Sequence, residues 1–166
     1  QGQAQLDLGQ LGFRSLLMHR SHGQVQLRVN GRPVFCRGAC WTAEDARSLD
    51  GEPGQTAETL RLAQAHGLNM LRIGGTMTYP CDALLVACDA LGILLWQDLM
   101  VANMDLPTDE PAFAAELEAE VREQLRRLGA HPCLAVVCGG SENQQQAAML
   151  GLPASEWSAP FFDLLL

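Results

Sequence analysis

The stretch that decides the fold lies near the end of the chain: Leu134-Ala-Val-Val-Cys138-Gly-Gly-Ser141-Glu142-Asn143. Its first five residues are apolar or small and follow a His-Pro pair, which predicts a buried strand. Two glycines then allow a sharp turn, because neither carries a Cβ that would obstruct the chain. A hydroxyl, a carboxyl and an amide follow directly. Open α/β sheets and barrels keep their chemistry at the C-terminal ends of their strands, so a carboxylate here is a candidate functional group.

On this stretch alone, the Glu142 carboxylate has two interpretations. It could cap the helix that follows, because negative charge is stabilised near a helix N-terminus. It could instead be a catalytic group. The cap is the simpler hypothesis for an isolated strand and turn, and the pattern of the remaining chain favours the catalytic one.

Strands and helices alternate along the chain upstream of this stretch. The predicted strands cover 24–29, 33–41, 68–73, 93–98 and 134–138, and the predicted helices cover about 56–66, 80–91, 110–128 and 144–150. Asn30-Gly31 between the first two strands predicts a tight hairpin, because both residues tolerate positive φ. Three later repeats of strand and helix predict parallel strands with right-handed crossovers.

The ends of the predicted parallel strands carry polar or aromatic groups: Trp41, Arg72, Asp98 and Ser141-Glu142. A dinucleotide-binding domain would have G-x-G-x-x-G after its first strand, and no such pattern is found there. A site shared among four strand ends favours a (β/α)₈ TIM-type barrel. Four strands make half of one, so we expect about the first four β/α units of a truncated barrel, preceded by the hairpin.

The composition narrows the function classes. The 166 residues carry a net charge of −8, which argues against a nucleic-acid partner because phosphates require a basic face. All 11 basic residues are arginine, so this chain holds no Walker lysine, no Schiff-base lysine and no lysine general base. No apolar run is long enough to span a bilayer, so we expect no membrane partner.

The six cysteines include no C-x-x-C pair, and most lie inside apolar runs. They are typical of buried, reduced thiols, so we expect neither a metal site nor a cofactor. No signal peptide begins the chain, although its first residues are not those of a natural start. The missing signal peptide therefore does not exclude secretion and the compartment stays open, with a cytoplasmic or periplasmic bacterial location favoured.

Four motifs together carry a resemblance to glycoside hydrolase family 2, and within it to the β-mannosidase branch. They are Asn30-Gly-Arg-Pro-Val-Phe-Cys-Arg-Gly-Ala-Cys-Trp41, Asn69-Met-Leu-Arg-Ile73, Cys88-Asp-Ala-Leu-Gly-Ile-Leu-Leu-Trp-Gln-Asp98, and His131-Pro132 followed by Gly139-Gly-Ser-Glu142. The resemblance spans about residues 11–166 in the correct order. It implies that residues 1–22 are the tail of an upstream β-sandwich domain and that 23–166 are the N-terminal half of a catalytic barrel.

The resemblance also implies a function, the retaining hydrolysis of β-glycosides by two carboxylates. Glu142 matches the acid/base position, and the nucleophile would come from a later strand beyond this chain. Arg72 matches a family arginine near the nucleophile, and Trp41 and Asp98 fall at strand ends that face the sugar. Ser141 stands at the position before the acid/base, so the resemblance implies that all four residues bind substrate. We therefore expect a carbohydrate substrate, possible self-association of the truncated barrel, and no activity from this chain by itself.

Two positions depart from the family pattern. Ser141 stands where the family usually has the asparagine that contacts the sugar 2-hydroxyl, and Gly74 stands where β-mannosidases carry a tryptophan wall. Two rival hypotheses stay open at this point. One is a non-catalytic carbohydrate-binding or scaffold protein on the same fold, and the other is a nucleotide-binding domain that uses Gly139-Gly140 as an anion loop.

Overall fold

The computed structural model of the chain describes residues 11–49, 51–103 and 106–153. The sequence also indicates a turn at Asp50-Gly51, a loop carboxylate at Asp105 and an apolar tail at 161–166, and of these Asp50, Asp105 and the tail lie outside the described residues. The chain divides into two compact units, Gln1–Phe35 and Cys36–Leu166. Every candidate site residue belongs to the second unit.

The first unit holds a three-stranded antiparallel sheet of β1 (Leu16–Ser21), β2 (Gln24–Val29) and β3 (Arg32–Val34), in that order. Both connections are two-residue turns whose residues have positive φ, and the second is the predicted Asn30-Gly31 turn, with φ of 51° and 77°. The Asn30 side chain also accepts a hydrogen bond from the Ser15 amide at 2.9 Å. The hairpin prediction is confirmed.

The second unit holds a four-stranded parallel sheet in the order β4-β5-β6-β7, with helices between successive strands. The strands are β4 Gly38–Trp41, β5 Met70–Ile73, β6 Leu94–Asp98 and β7 Leu134–Cys138. The helices are α1 Pro53–Ala65, α2 Asp82–Leu91, α3 Pro111–Gly129 and α4 Asn143–Met149. The predicted mixed α/β fold with parallel strands is confirmed.

One predicted strand was wrong. The sequence indicated a single arm from 33 to 41, whereas the structure has β3 and β4 in different sheets with 35–37 between them. The reason is pairing. β3 pairs antiparallel with β2, whereas β4 pairs in parallel with β5, and no local pattern reports which partner a short strand has.

The core of the second unit lies between the sheet and the helices. Leu71 and Ile73 of β5 and Leu95 of β6 are almost fully buried in it. The residues that follow Leu71 and Leu95, which are Arg72 and Trp96, point to the other face because side chains alternate along a strand. Helix residues complete the core: Leu60, Leu84, Leu85, Cys88 and Leu128.

Two details of the long helix α3 differ from the sequence analysis. The residue types before it predict Thr108 or Asp109 as the N-cap, whereas Glu110 occupies that position and makes no side-chain cap bond. The i, i+4 spacing predicts a pair of Glu123 with Arg127, but Glu123 pairs with Arg126, and Arg127 reaches across to α2. The same spacing predicts a pair of Glu118 with Arg122, which is present at 2.7 Å.

Candidate active site

The centre of the candidate site is an ion pair between the neighbouring strands β5 and β6. Arg72 Nη2 lies 2.6 Å from Asp98 Oδ2, and its Nε donates to Oδ1 over 3.4 Å. The Asp98 side chain is fully buried, whereas the Arg72 side chain remains 39% exposed. A buried carboxylate without a countercharge is costly, and Arg72 supplies the countercharge for Asp98.

Trp96 supports the pair from within β6. Its Nε1 donates to Asp98 Oδ1 at 2.8 Å, and the Arg72 guanidinium carbon lies 5.6 Å from the centre of its ring. The hydrogen bond that Arg72 donates to Asp98 raises the pKa of Arg72 above its ordinary value, so the guanidinium keeps its charge. Arg72 is therefore held in one orientation by a carboxylate and an aromatic face.

The same guanidinium connects the pair to the exit of β7. Arg72 Nη2 donates to Ser141 Oγ at 3.2 Å, across 69 positions of sequence. The C-terminal ends of β5, β6 and β7 are thus joined by one side chain. The sequence placed these residues at one edge of the sheet, and the structure brings them into contact.

Glu142 lies at the N-cap position of α4 with φ 61° and ψ 9°, the left-handed conformation. Its carboxylate makes no cap hydrogen bond to the described residues of this helix, and the residue is exposed. A non-glycine residue in this conformation costs about 1–3 kcal/mol and persists only where its surroundings hold it. Glu142 thus stands at the N-terminus of α4, where negative charge is favourable, but its side chain does not make the hydrogen bond of a helix cap.

An open cleft at this edge of the sheet gathers most of the candidate residues. Trp41, Arg72, Ser141 and Glu142 all line it. Asp98 does not, because it is fully buried and reaches the cleft through Arg72. From these four residues the cleft receives a carboxylate, a guanidinium, a hydroxyl and an indole, which suits the binding of a polar, ring-shaped ligand.

Sequence reasoning missed several residues of the cleft, because they lie in loops that carry no periodic pattern. Thr42, Thr76 and Asn103 line it, and Asn103 has a positive φ of 64°. Gly75 has a different role, since a Cβ there would lie 2.6 Å from the Leu99 carbonyl oxygen. The one sequence signal for these residues was Gly74-Gly75-Thr76, two glycines and a hydroxyl residue directly after β5.

The described cysteines differ in burial, and one histidine is paired with a carboxylate. Cys88 and Cys133 are buried as predicted, whereas Cys36 and Cys40 are exposed, so the expectation of buried thiols holds only in part. His131 contacts Asp89 at 2.6 Å. Within the described residues, no three histidine, cysteine or acidic side chains are grouped as metal ligands, and no helix is long and apolar enough to cross a membrane.

Comparison with known proteins finds β-mannosidases among both the similar sequences and the similar structures. The chain is 34% identical to β-mannosidase B of Aspergillus niger over 125 residues, which is 75% of this chain and 15% of that protein. The crystal structure of β-D-mannosidase from Dictyoglomus thermophilum superposes with a TM-score of 0.68 and 29% identity, over 80% of this chain and 17% of that one. No family model matches the chain.

A more distant structure shares the fold. The GH2 β-galacturonidase of Eisenbergiella tayi, described as bound to galacturonate, has a TM-score of 0.64 at 20% identity, over 93% of this chain and 26% of that one. The resemblance to the β-mannosidase branch of glycoside hydrolase family 2 is therefore confirmed. The chain spans about 15% of the length of the curated relatives that it matches.

Proposed function

We propose that this chain carries the acid/base half of a retaining β-glycosidase site, most like that of a β-mannosidase. The observation that carries the proposal is the position of Glu142, exposed in a cleft at the C-terminal end of β7 beside Arg72, Ser141 and Trp41. The four parallel strands would form the first half of a (β/α)₈ barrel. The relatives are glycosidases, which supports this chemistry over an anion-binding loop.

In the proposed mechanism, Glu142 protonates the glycosidic oxygen as the bond to the leaving group breaks. A second carboxylate, ~5 Å away in retaining enzymes, attacks the anomeric carbon. Glu142 then removes a proton from the water that hydrolyses the glycosyl-enzyme intermediate. The second carboxylate would come from outside these 166 residues.

The other cleft residues would bind and orient the sugar. Arg72 is fixed by Asp98 and Trp96, so it can donate to a sugar hydroxyl without losing side-chain freedom on binding. Trp41 offers an apolar face for the ring, and Ser141 offers a hydroxyl beside the acid/base. Asp98 would act as a positioning residue for Arg72.

The first test compares Glu142→Gln with the unchanged protein, in a polypeptide extended to include the rest of the barrel. General acid catalysis contributes about 10²–10⁴ in rate, so hydrolysis of an alkyl β-mannoside should fall by about that factor. The loss in kcat/KM, which reports the step up to cleavage of the glycosidic bond, should be smaller for 4-nitrophenyl β-mannoside, because 4-nitrophenolate leaves without protonation. Glu116→Gln on the exposed side of α3 is the matched control and should leave both rates unchanged.

The second test uses the 166-residue chain by itself. Purified chain should not hydrolyse 4-nitrophenyl β-mannoside, because a retaining site needs both carboxylates. Measurable hydrolysis that Glu142→Gln removes would show that the nucleophile lies within this chain and would contradict the assignment.

One observation favours a second candidate, a non-catalytic carbohydrate-binding protein. Among the described residues that line the cleft, Glu142 is the sole carboxylate. Both proposals predict that the cleft binds a β-mannoside. Binding without turnover by the extended protein would favour the second.

A further inference from the structure

A five-residue segment after β6, residues 99–103, is tied to both sides of the glycine turn that precedes Glu142. The Leu99 amide donates to the Cys138 carbonyl at 2.8 Å, and the Asn103 amide donates to the Ser141 carbonyl at 2.9 Å. Ala102 also forms a parallel bridge with Ser141. We refer to residues 99–103 as the brace.

The brace is itself rigidly placed. Leu99, Val101 and Ala102 are all nearly fully buried, and Leu99 and Val101 pack into a cluster with α3. Gly75 leaves the space for it, since a Cβ there would lie 2.6 Å from the Leu99 carbonyl oxygen and 3.0 Å from Ala102 Cβ. The exit of β7 is thus bonded to a packed part of the molecule.

Asn143 bonds to the brace on the C-terminal side of Glu142. Its Nδ2 donates to the Val101 carbonyl at 2.6 Å, which satisfies a backbone acceptor of a buried residue. Gly140 gives it room, because a Cβ there would lie 2.6 Å from Asn143 Oδ1. Ser141 and Asn143 are therefore both bonded to the brace, and Glu142 is the single residue between them.

We propose that Asn143 is a positioning residue that holds Glu142 in its left-handed conformation by bonding the brace at Val101. The conformation at φ 61° is costly for a glutamate, and two bonds that flank it on the same rigid segment compensate for that cost. The inference rests on the proposed function in so far as Glu142 is the acid/base. The geometry of the restraint is independent of that role.

The test is the isosteric variant Asn143→Asp in the 166-residue chain, labelled for NMR. This change replaces the amide donor by a carboxylate that repels the Val101 carbonyl. Glu142 should lose the strong intraresidue NOE between its amide proton and Hα that marks a positive φ. The matched control is Gln145→Glu, which adds the same charge to an exposed position of α4 and should leave the NOE unchanged.

Lowering the pH distinguishes the loss of this one restraint from a general loss of folded structure in Asn143→Asp. A carboxyl that faces a carbonyl oxygen takes up a proton above its ordinary pKa of about 3.9 and can then donate to it. The NOE in Asn143→Asp should therefore return at pH 4. A NOE that survives at pH 7, or one that Gln145→Glu removes equally, would overturn the proposal.

A measurement on the unchanged chain covers the case in which the variant does not fold. The Asn143 side-chain amide protons should exchange with solvent about tenfold more slowly than those of Gln145. Equal rates would overturn the inference. These outcomes are separate from the function, because a failed hydrolysis assay with an intact NOE would reject the acid/base role and keep the restraint.

Discussion

At the scale of single residues, the two members of the central ion pair are unequal. Asp98 is fully buried, whereas Arg72 is open to solvent on one side. Solvent can screen a guanidinium that loses its partner, but it cannot reach the carboxylate. The size of the loss in stability therefore depends on which partner is removed.

We expect Arg72→Met to destabilise the chain by about 3–5 kcal/mol, because it leaves a buried carboxylate without a countercharge. Asp98→Asn should cost less, about 1–2 kcal/mol, because a neutral amide replaces the carboxylate and Arg72 stays hydrated. Urea unfolding of both variants measures the difference. Equal losses of stability would contradict the assignment of a solvent-shielded Asp98 and a solvent-exposed Arg72.

At the scale of elements, Arg127 joins α3 to the start of α2. Its Nη1 lies 3.0 Å from Asp82 Oδ1, and its Nη2 donates to the Pro80 carbonyl at 2.8 Å. The neighbouring Arg126 bonds only to Glu123 on its own exposed helix face among the contacts of the described residues. Two adjacent arginines on one helix thus have a tertiary and a local role.

These roles predict different costs for the same substitution. Arg127→Ala should lower the free energy of unfolding by about 1–2 kcal/mol, because a carbonyl and a carboxylate both lose a donor. Arg126→Ala is the matched control and should change it by less than about 0.5 kcal/mol. Chemical denaturation of the two variants measures both changes in the free energy of unfolding. A larger loss from Arg126→Ala than from Arg127→Ala would refute the assignment.

At the scale of the whole molecule, two buried thiols make the free energy of unfolding depend on pH in the alkaline range. Burial raises the pKa of Cys88 to about 12, and burial also raises the pKa of Cys133. In the unfolded chain a thiol ionises near pH 8.5. Above that pH the unfolded state releases protons that the folded state retains, so stability is lost as the pH rises.

The free energy of unfolding should therefore fall by up to about 1.4 kcal/mol per pH unit for each buried thiol above pH ~8.5. Urea titrations between pH 7.5 and 10, under reducing conditions, measure the slope. Cys88→Ala should reduce it by about half. An unchanged free energy over this range would show that the thiols ionise freely in the folded chain.

The edges of the parallel sheet predict self-association. β4 and β7 are its outer strands, and each is paired on one side among the strands described. Unpaired backbone groups on an edge strand favour pairing with another chain. Light scattering should give a mass that rises with concentration, and a constant monomer mass over a wide range would contradict this.

The sequence by itself determined the local features. The spacing of hydrophobic residues indicated the parallel strands and the helices, and Asn30-Gly31 indicated the hairpin. Gly92 marked the end of α2, where its φ is 68°. These features depend on residues near one another in the chain, so a local pattern is sufficient. The polar residues at the strand ends were identifiable because parallel strands present the same end at one edge.

Only the tertiary structure decided which of these residues touch. The contact of Arg72 with Asp98 spans 26 positions, and that of Asn143 with Val101 spans 42. The left-handed backbone of Glu142 and the separation of β3 from β4 depend on such contacts. Sequence patterns report the conformations that a segment prefers, whereas pairing and strain are set by distant partners, which only the folded chain brings together.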